Sequence, residues 1–208
     1  EHAAVAQAIG EHYQSRPASK AGLAVALADR LDSLVGLFAV GLAPTGAKDP
    51  FGLRRAALGI VEPLTDMDGN IDLGKAILAA AKAQPVTVGE KVRSDVLDFI
   101  NVRLAVQLKE AGNRYDVVDA VLAEQAANPS GASRSVRQLQ GWVDRADWKT
   151  ILPAFARCVR ITRDQKKTFK VDPKTLSEKE EKDLLKAVQT AESALRGAGR
   201  RDPDRLFG

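Results

Sequence analysis

Leu23, Leu27, Leu31, Leu34, Val35 and Phe38 fall at three- and four-residue steps. That is the period of an α-helix, and a stripe this apolar belongs to a helix buried along most of its length. The spacing predicts a central helix over 21–42. The same period recurs along the rest of the chain, and no run shows the sustained alternation of a half-buried strand. The expected fold class is all-α.

Start and stop signals divide the remaining helices. A first helix over 3–13 carries Val5, Ala8, Ile9 and His12 on one stripe and stops before Arg16-Pro17. Gly41 and Pro44-Thr45-Gly46 end the central helix, and Asp49-Pro50 opens the next, with Asp49 as the cap and Pro50 in the first turn. That helix weakens by Pro63. Residues 66–70 read as a polar turn, 71–83 as a short helix, and 84–89 as a linker. The domain boundary is expected there, giving helical domains over 1–88 and 89–208. Val92, Val96, Phe99, Ile100, Leu104 and Leu108 mark a long amphipathic helix that starts at Glu90 and closes at Gly112. Further helices are expected over 115–127, 132–145, 147–163 and 176–196. Residues 197–208, with glycine and proline among arginines, read as a loosely held end.

Composition narrows the chemistry. Hydrophobic residues make up 45% and charged residues 28% of the 208, a globular balance. The single cysteine, Cys158, allows no internal disulfide and, without a spaced histidine set, no zinc site. It is expected to be a small buried hydrophobe in a protein of a reducing compartment. No signal-peptide pattern opens the chain and no apolar segment is long enough for a membrane helix, so a cytoplasmic location is expected.

The net charge is only +4, which excludes a uniformly basic coat. Its distribution is uneven. Residues 131–170 carry ten basic side chains against three acidic ones, a concentration that attracts polyanions, and Glu178, Glu180, Glu181 and Asp183 then restore the balance. A solvated helix face is the competing reading.

Three motif resemblances fail on their chemistry. Gly41 to Asp49 is not a phosphate loop, because Lys48 does not directly follow the second glycine, no Ser or Thr follows the lysine, and no strand precedes. Asp66 to Asn70 begins like a calcium loop, but Ile71 and Ile77 stand where the glycine and the closing glutamate belong. His2, His12, Asp29 and Asp32 lack metal-ligand spacing. No catalytic residue and no metal ligand is assigned.

Ala28-Asp29-Arg30-Leu31-Asp32-Ser33-Leu34-Val35-Gly36-Leu37-Phe38, followed by Pro44-Thr45-Gly46-Ala47-Lys48-Asp49-Pro50-Phe51-Gly52-Leu53-Arg54-Arg55-Ala56-Ala57-Leu58-Gly59, closely resembles the β subunit of bacterial-type glycyl-tRNA synthetase. Upstream, Val5 to Tyr13 looks like the end of that family's HD-like helical domain, without the metal-binding set of HD phosphohydrolases. Downstream, Phe99 to Leu108, Gly112 to Leu122 and Ala154 to Ile161 look like its helical anticodon-binding domain, of the type shared with arginyl-tRNA synthetase. Two departures stand out: Gln14 to Gly22 is shorter than the family's usual loop, and the family's final helices do not follow Phe207.

The resemblance implies a part of glycine–tRNA ligase that positions glycine tRNA for an α catalytic subunit or fused α region. This portion is expected to hold no cofactor, ATP and magnesium being used by the whole enzyme elsewhere, and to bind neither DNA nor membrane. Basic side chains would neutralise phosphates while polar or aromatic groups read unstacked bases. Arg134, Arg137, Arg157, Arg160, Arg163, Lys166 and Lys167 are the phosphate candidates, with Arg103, Arg114 and Tyr115 near the first helix pair of the anticodon-binding domain. Lys48, Asp49, Pro50, Phe51, Arg54 and Arg55 form the family motif, in which Asp49 caps and the arginines brace. Trp142 and Trp148 serve either as base-stacking platforms or as core. A helical protein-interaction scaffold without RNA is the alternative.

Overall fold

The computed structural model describes residues 2–67, 69–167 and 169–196, and the expectation for 197–208 lies outside them. Among the described residues the structure is all-α: α1 (His2–Glu11), α2 (Lys20–Ala39), α3 (Leu53–Asp66), α4 (Leu73–Ala83), α5 (Glu90–Glu110), α6 (Tyr115–Gln125), α7 (Pro129–Val143), α8 (Trp148–Thr162) and α9 (Lys179–Arg196). A single 3-10 turn, Pro173–Thr175, precedes α9. The packing separates two compact units, Glu1–Gln140 and Gly141–Gly208.

In the first unit α2 is central, as its stripe predicts. It packs on α1, α3, α4 and α5, and α5 in turn packs on α3, α4 and α6. Leu27, Leu31, Leu34 and Val35 of α2 meet a core built from Leu53, Ile60, Val61 and Leu64 of α3, Leu73 and Ile77 of α4, and Val96, Ile100, Leu104 and Leu108 of α5. The expected division at 84–90 falls inside this unit. Residues 84–90 do connect two helices, but α5 lays its apolar stripe on the helices before the connection, so the packing divides after Gln140 instead. A proline-containing connection marks a turn and does not by itself mark where packing stops.

Two helices differ from their expected form. On α1 the buried residues are Ala8 and Glu11, while Val5 and Ile9 are exposed. Glu11 is held by hydrogen bonds instead of apolar contact: its Oε2 accepts from the Ser19 N–H at 2.8 Å and the Ser19 hydroxyl at 2.6 Å, and its Oε1 accepts from Gln7 at 2.7 Å. The Ser19 hydroxyl also caps α2 by accepting from the Gly22 N–H. The third helix begins at Leu53 and continues through Pro63 to Asp66. Gly52 takes a left-handed φ of 67° directly before it, leaving Pro50 outside the helix. Burial of Pro63 beside Leu64 and Thr65 offsets the one backbone hydrogen bond that its ring removes.

The turn before α4 is pinned to the α6–α7 connection. The Leu73 N–H donates to the Ala127 carbonyl at 2.8 Å, and Asn128 donates to Asn70 Oδ1 at 2.9 Å. In the second unit, α8 buries none of its residues and α9 is exposed over most of its described side chains.

Candidate nucleic-acid interface

The motif from Lys48 to Arg55 builds the entrance to α3. Asp49 accepts the Leu53 N–H at 2.8 Å and the Arg54 N–H at 2.9 Å, satisfying two of the donors a helix start leaves open. Burial pushes the Asp49 carboxyl up, yet these donors and the charges of Arg54 and Arg55 outweigh it and leave the group below its ordinary value. The Arg54 guanidinium donates back to the Gly46 carbonyl. Asp49 is thus a cap and Arg54 a brace of its own loop. Pro50 and Phe51 are exposed, as are Lys48 and Arg55.

Arg103 lies close enough to this loop for its charge to be felt. Burial, and then the neighbouring Arg54 charge, lower its guanidinium from the ordinary value, while Asp49 acts the other way. Its Nη1 donates to the Phe99 carbonyl at 2.7 Å, and its guanidinium stands 3.7 Å from the centroid of the Phe99 ring. Phe99 packs edge-on against Phe38 at 5.2 Å. Arg103 therefore ties α5 to itself and to the α2 end through an aromatic pair.

The other arginines of the first unit divide by partner. Arg134 donates to Asn70 Oδ1 at 2.7 Å and to the Gly69 carbonyl at 3.4 Å, which fastens α7 to the turn before α4. Arg114 pairs with Asp116 at 2.6 Å. Arg137 and Tyr115 are exposed, Tyr115 at the first position of α6.

Arg157, Arg160, Arg163, Lys166 and Lys167 all belong to the second unit, and all are exposed. Among the described residues no ion pair involves any of them, whereas Arg145 in the same unit is paired with Asp147 at 2.7 Å. At 100° per residue, Arg157 lies on the side of α8 opposite a stripe of Leu152, Phe155 and Val159, and Arg160 lies at its flank. Arg160 donates to the Ala156 carbonyl and Arg163 terminates the helix, where a cation faces the negative end of the dipole. That dipole relieves part of their mutual repulsion and leaves both heads open to solvent.

Cys158 is exposed, contrary to the expectation of a buried thiol, because the apolar stripe of α8 is itself uncovered. Trp142 and Trp148 are half-buried, and Arg145 stands 4.4 Å from the Trp142 ring centroid. Among the described residues no group of three His, Cys, Asp or Glu side chains is arranged to hold a metal, and no helix is long and apolar enough to cross a membrane.

Sequence reading did not group the residues around a cleft of about 560 Å³ beside α2 and α3. Arg30 crosses its wall. Its Nη2 donates to the Gln14 carbonyl at 2.7 Å and the His12 carbonyl at 3.3 Å, fixing the loop after α1. Gly59 makes the crossing possible, since a Cβ there would stand 2.6 Å from Arg30 Nε. A glycine in the middle of an amphipathic helix, one turn from an arginine-rich motif, was the available signal.

Residues 1–123 match the family model described as glycyl-tRNA synthetase beta subunit. The glycine–tRNA ligase beta subunit of Moorella thermoacetica is 34% identical over 203 residues, covering 90% of this chain and 29% of that protein. That of Rhodospirillum centenum is 39% identical over 170 residues, 78% of this chain and 24% of the relative. The chloroplastic/mitochondrial glycine–tRNA ligase 2 of Arabidopsis thaliana is 39% identical over 147 residues, 71% of this chain and 14% of the relative. The chain thus spans less than a third of the length of these relatives. With a match over more than half of its residues and an all-helical structure, the chain belongs to the glycyl-tRNA synthetase beta subunit family.

Proposed function

We propose that this chain is the tRNA-holding part of a cytoplasmic glycine–tRNA ligase, placing glycine tRNA for ATP-dependent aminoacylation by an α catalytic subunit or fused α region. The observation that carries the reading is the exposed run Arg157, Arg160, Arg163, Lys166 and Lys167, which pairs with no carboxylate among the described residues. Cations without carboxylate partners release phosphate counterions on binding and so dominate affinity for RNA. Arg137 and Tyr115 of the first unit are available in the same way, one for a phosphate and one for stacking on a base. Arg103, Arg114 and Arg134 contribute to RNA binding only through what their intramolecular bonds hold in place.

We expect no ATP or magnesium site in this chain. The loop from Gly41 to Lys48 joins two helices, Arg54 occupies its Gly46 carbonyl, and Asp49 is committed to capping α3. The chain by itself is therefore expected to form no glycyl-adenylate. ATP–pyrophosphate exchange dependent on glycine, measured with the pure chain, would overturn that.

The exposed apolar stripe of α8 favours a second reading, a protein-interaction scaffold. Salt separates the two. Phosphate binding weakens steeply as salt rises, whereas apolar docking does not. The expected result is glycine tRNA binding whose affinity falls log-linearly with salt; no tRNA binding at low salt would favour the scaffold.

A further inference from the structure

The cleft beside α2 and α3 has a composition that the capping and bracing roles around it do not use. Tyr13 is 84% exposed and Phe51 52% exposed at its lining. The Tyr13 ring stands 3.7 Å from that of His12. Arg55 is exposed and enters no ion pair among the described residues. Arg30 brings a guanidinium whose Nη2 is fixed and whose Nη1 is without a partner. Asp29 and Glu62 add two carboxylates to the same lining.

From this we propose that the cleft holds one unpaired nucleotide of an RNA, an inference that rests on reading the chain as RNA-binding. The volume of about 560 Å³ accommodates a base with its ribose phosphate. Exposed rings stack on any base, since every base presents a π-face. The exocyclic N–H groups of an unstacked base find acceptors in Asp29 and Glu62, and Arg55 faces the phosphodiester. Two cations balanced by two carboxylates suit a base carrying one phosphate and disfavour a triphosphate or a bare polyanion. A duplex keeps its bases stacked and cannot place one in the cleft.

The probe is a single-stranded pentanucleotide RNA containing 2-aminopurine, whose fluorescence is quenched on stacking, titrated with the 208-residue chain. Quenching on binding is expected, and Tyr13→Ala and Phe51→Ala should each weaken it roughly five- to hundredfold, the range for losing one base–aromatic stack. A blunt-ended RNA duplex should not compete, whereas AMP, which offers the same base, ribose and phosphate, should displace the probe. Both variants should keep the salt slope of glycine tRNA binding, since neither removes a cation, which separates failure of the cleft from failure of the RNA reading. If removing the ring perturbs folding, as circular dichroism would register, Tyr13→Leu and Phe51→Leu keep the apolar contact and abolish the stack. The proposal is overturned by an unquenched probe, by variants that bind like the parent, or by equal competition from the duplex.

Discussion

At the scale of single residues, the chain uses its charged groups first to hold helix ends together. Glu11 is buried, and the Ser19 hydroxyl, the Ser19 N–H and Gln7 keep its carboxyl below the ordinary value. A carboxyl lowered in the folded state contributes stability above its unfolded pKa, and that contribution is lost as pH falls through the folded value. Thermal midpoints followed into the acid range should therefore converge between the parent and Glu11→Gln, with the parent higher at neutral pH. Parallel curves would contradict this account of Glu11. Arg134 makes a second case. Its bonds to Asn70 and Gly69 predict that Arg134→Ala costs about 1 kcal/mol of stability, the net value of a partly exposed hydrogen bond, with tRNA affinity nearly unchanged. Denaturant unfolding beside a tRNA titration checks both; a loss of affinity at full stability would make Arg134 a phosphate contact.

At the scale of elements, α2 and α8 have similar periodicity and opposite fates. Leu104 of α5, which packs on α2, α3, α4 and α6, is fully buried, so Leu104→Ala should cost about 2–5 kcal/mol. Leu152 on the α8 stripe is about half exposed, and Leu152→Ala should cost under about 1 kcal/mol. Comparable costs at the two sites, measured by chemical denaturation, would show that α8 is packed in solution. The contrast also explains what could be read in advance. Helix existence followed from spacing, because the 3.6-residue period is local. Where α3 begins did not, because Asp49 reaches Leu53 and Arg54 only when Gly52 turns through positive φ, a backbone state that capping residues alone do not specify. The division after Gln140 was hidden too. It depends on which helix receives the stripe of α5, a long-range matter that composition at 84–89 does not encode. Of the basic candidates, charge density pointed to the run on α8, but Arg114 and Arg134 have partners two and 64 residues away along the chain, and only the latter pairing was beyond local reading.

At the scale of the whole molecule, the first unit provides a closed core and the second an open amphipathic helix with exposed cations along and beyond it. The family relationship fixes the setting as glycyl-tRNA synthetase beta subunits, and the central claim is that the cations of the second unit meet the tRNA backbone. Arg157, Arg160 and Arg163 are all exposed, so replacing them with glutamine leaves the core untouched. The direct measurement is glycine tRNA binding by the parent and by the Arg157→Gln, Arg160→Gln, Arg163→Gln triple variant across a series of salt concentrations, with thermal midpoints taken in parallel. The account predicts an unchanged midpoint, weaker binding, and a salt slope reduced by up to about 2–3, close to one for each phosphate no longer neutralised. An equally stable triple variant that binds with the parent's affinity and the parent's salt slope would contradict it.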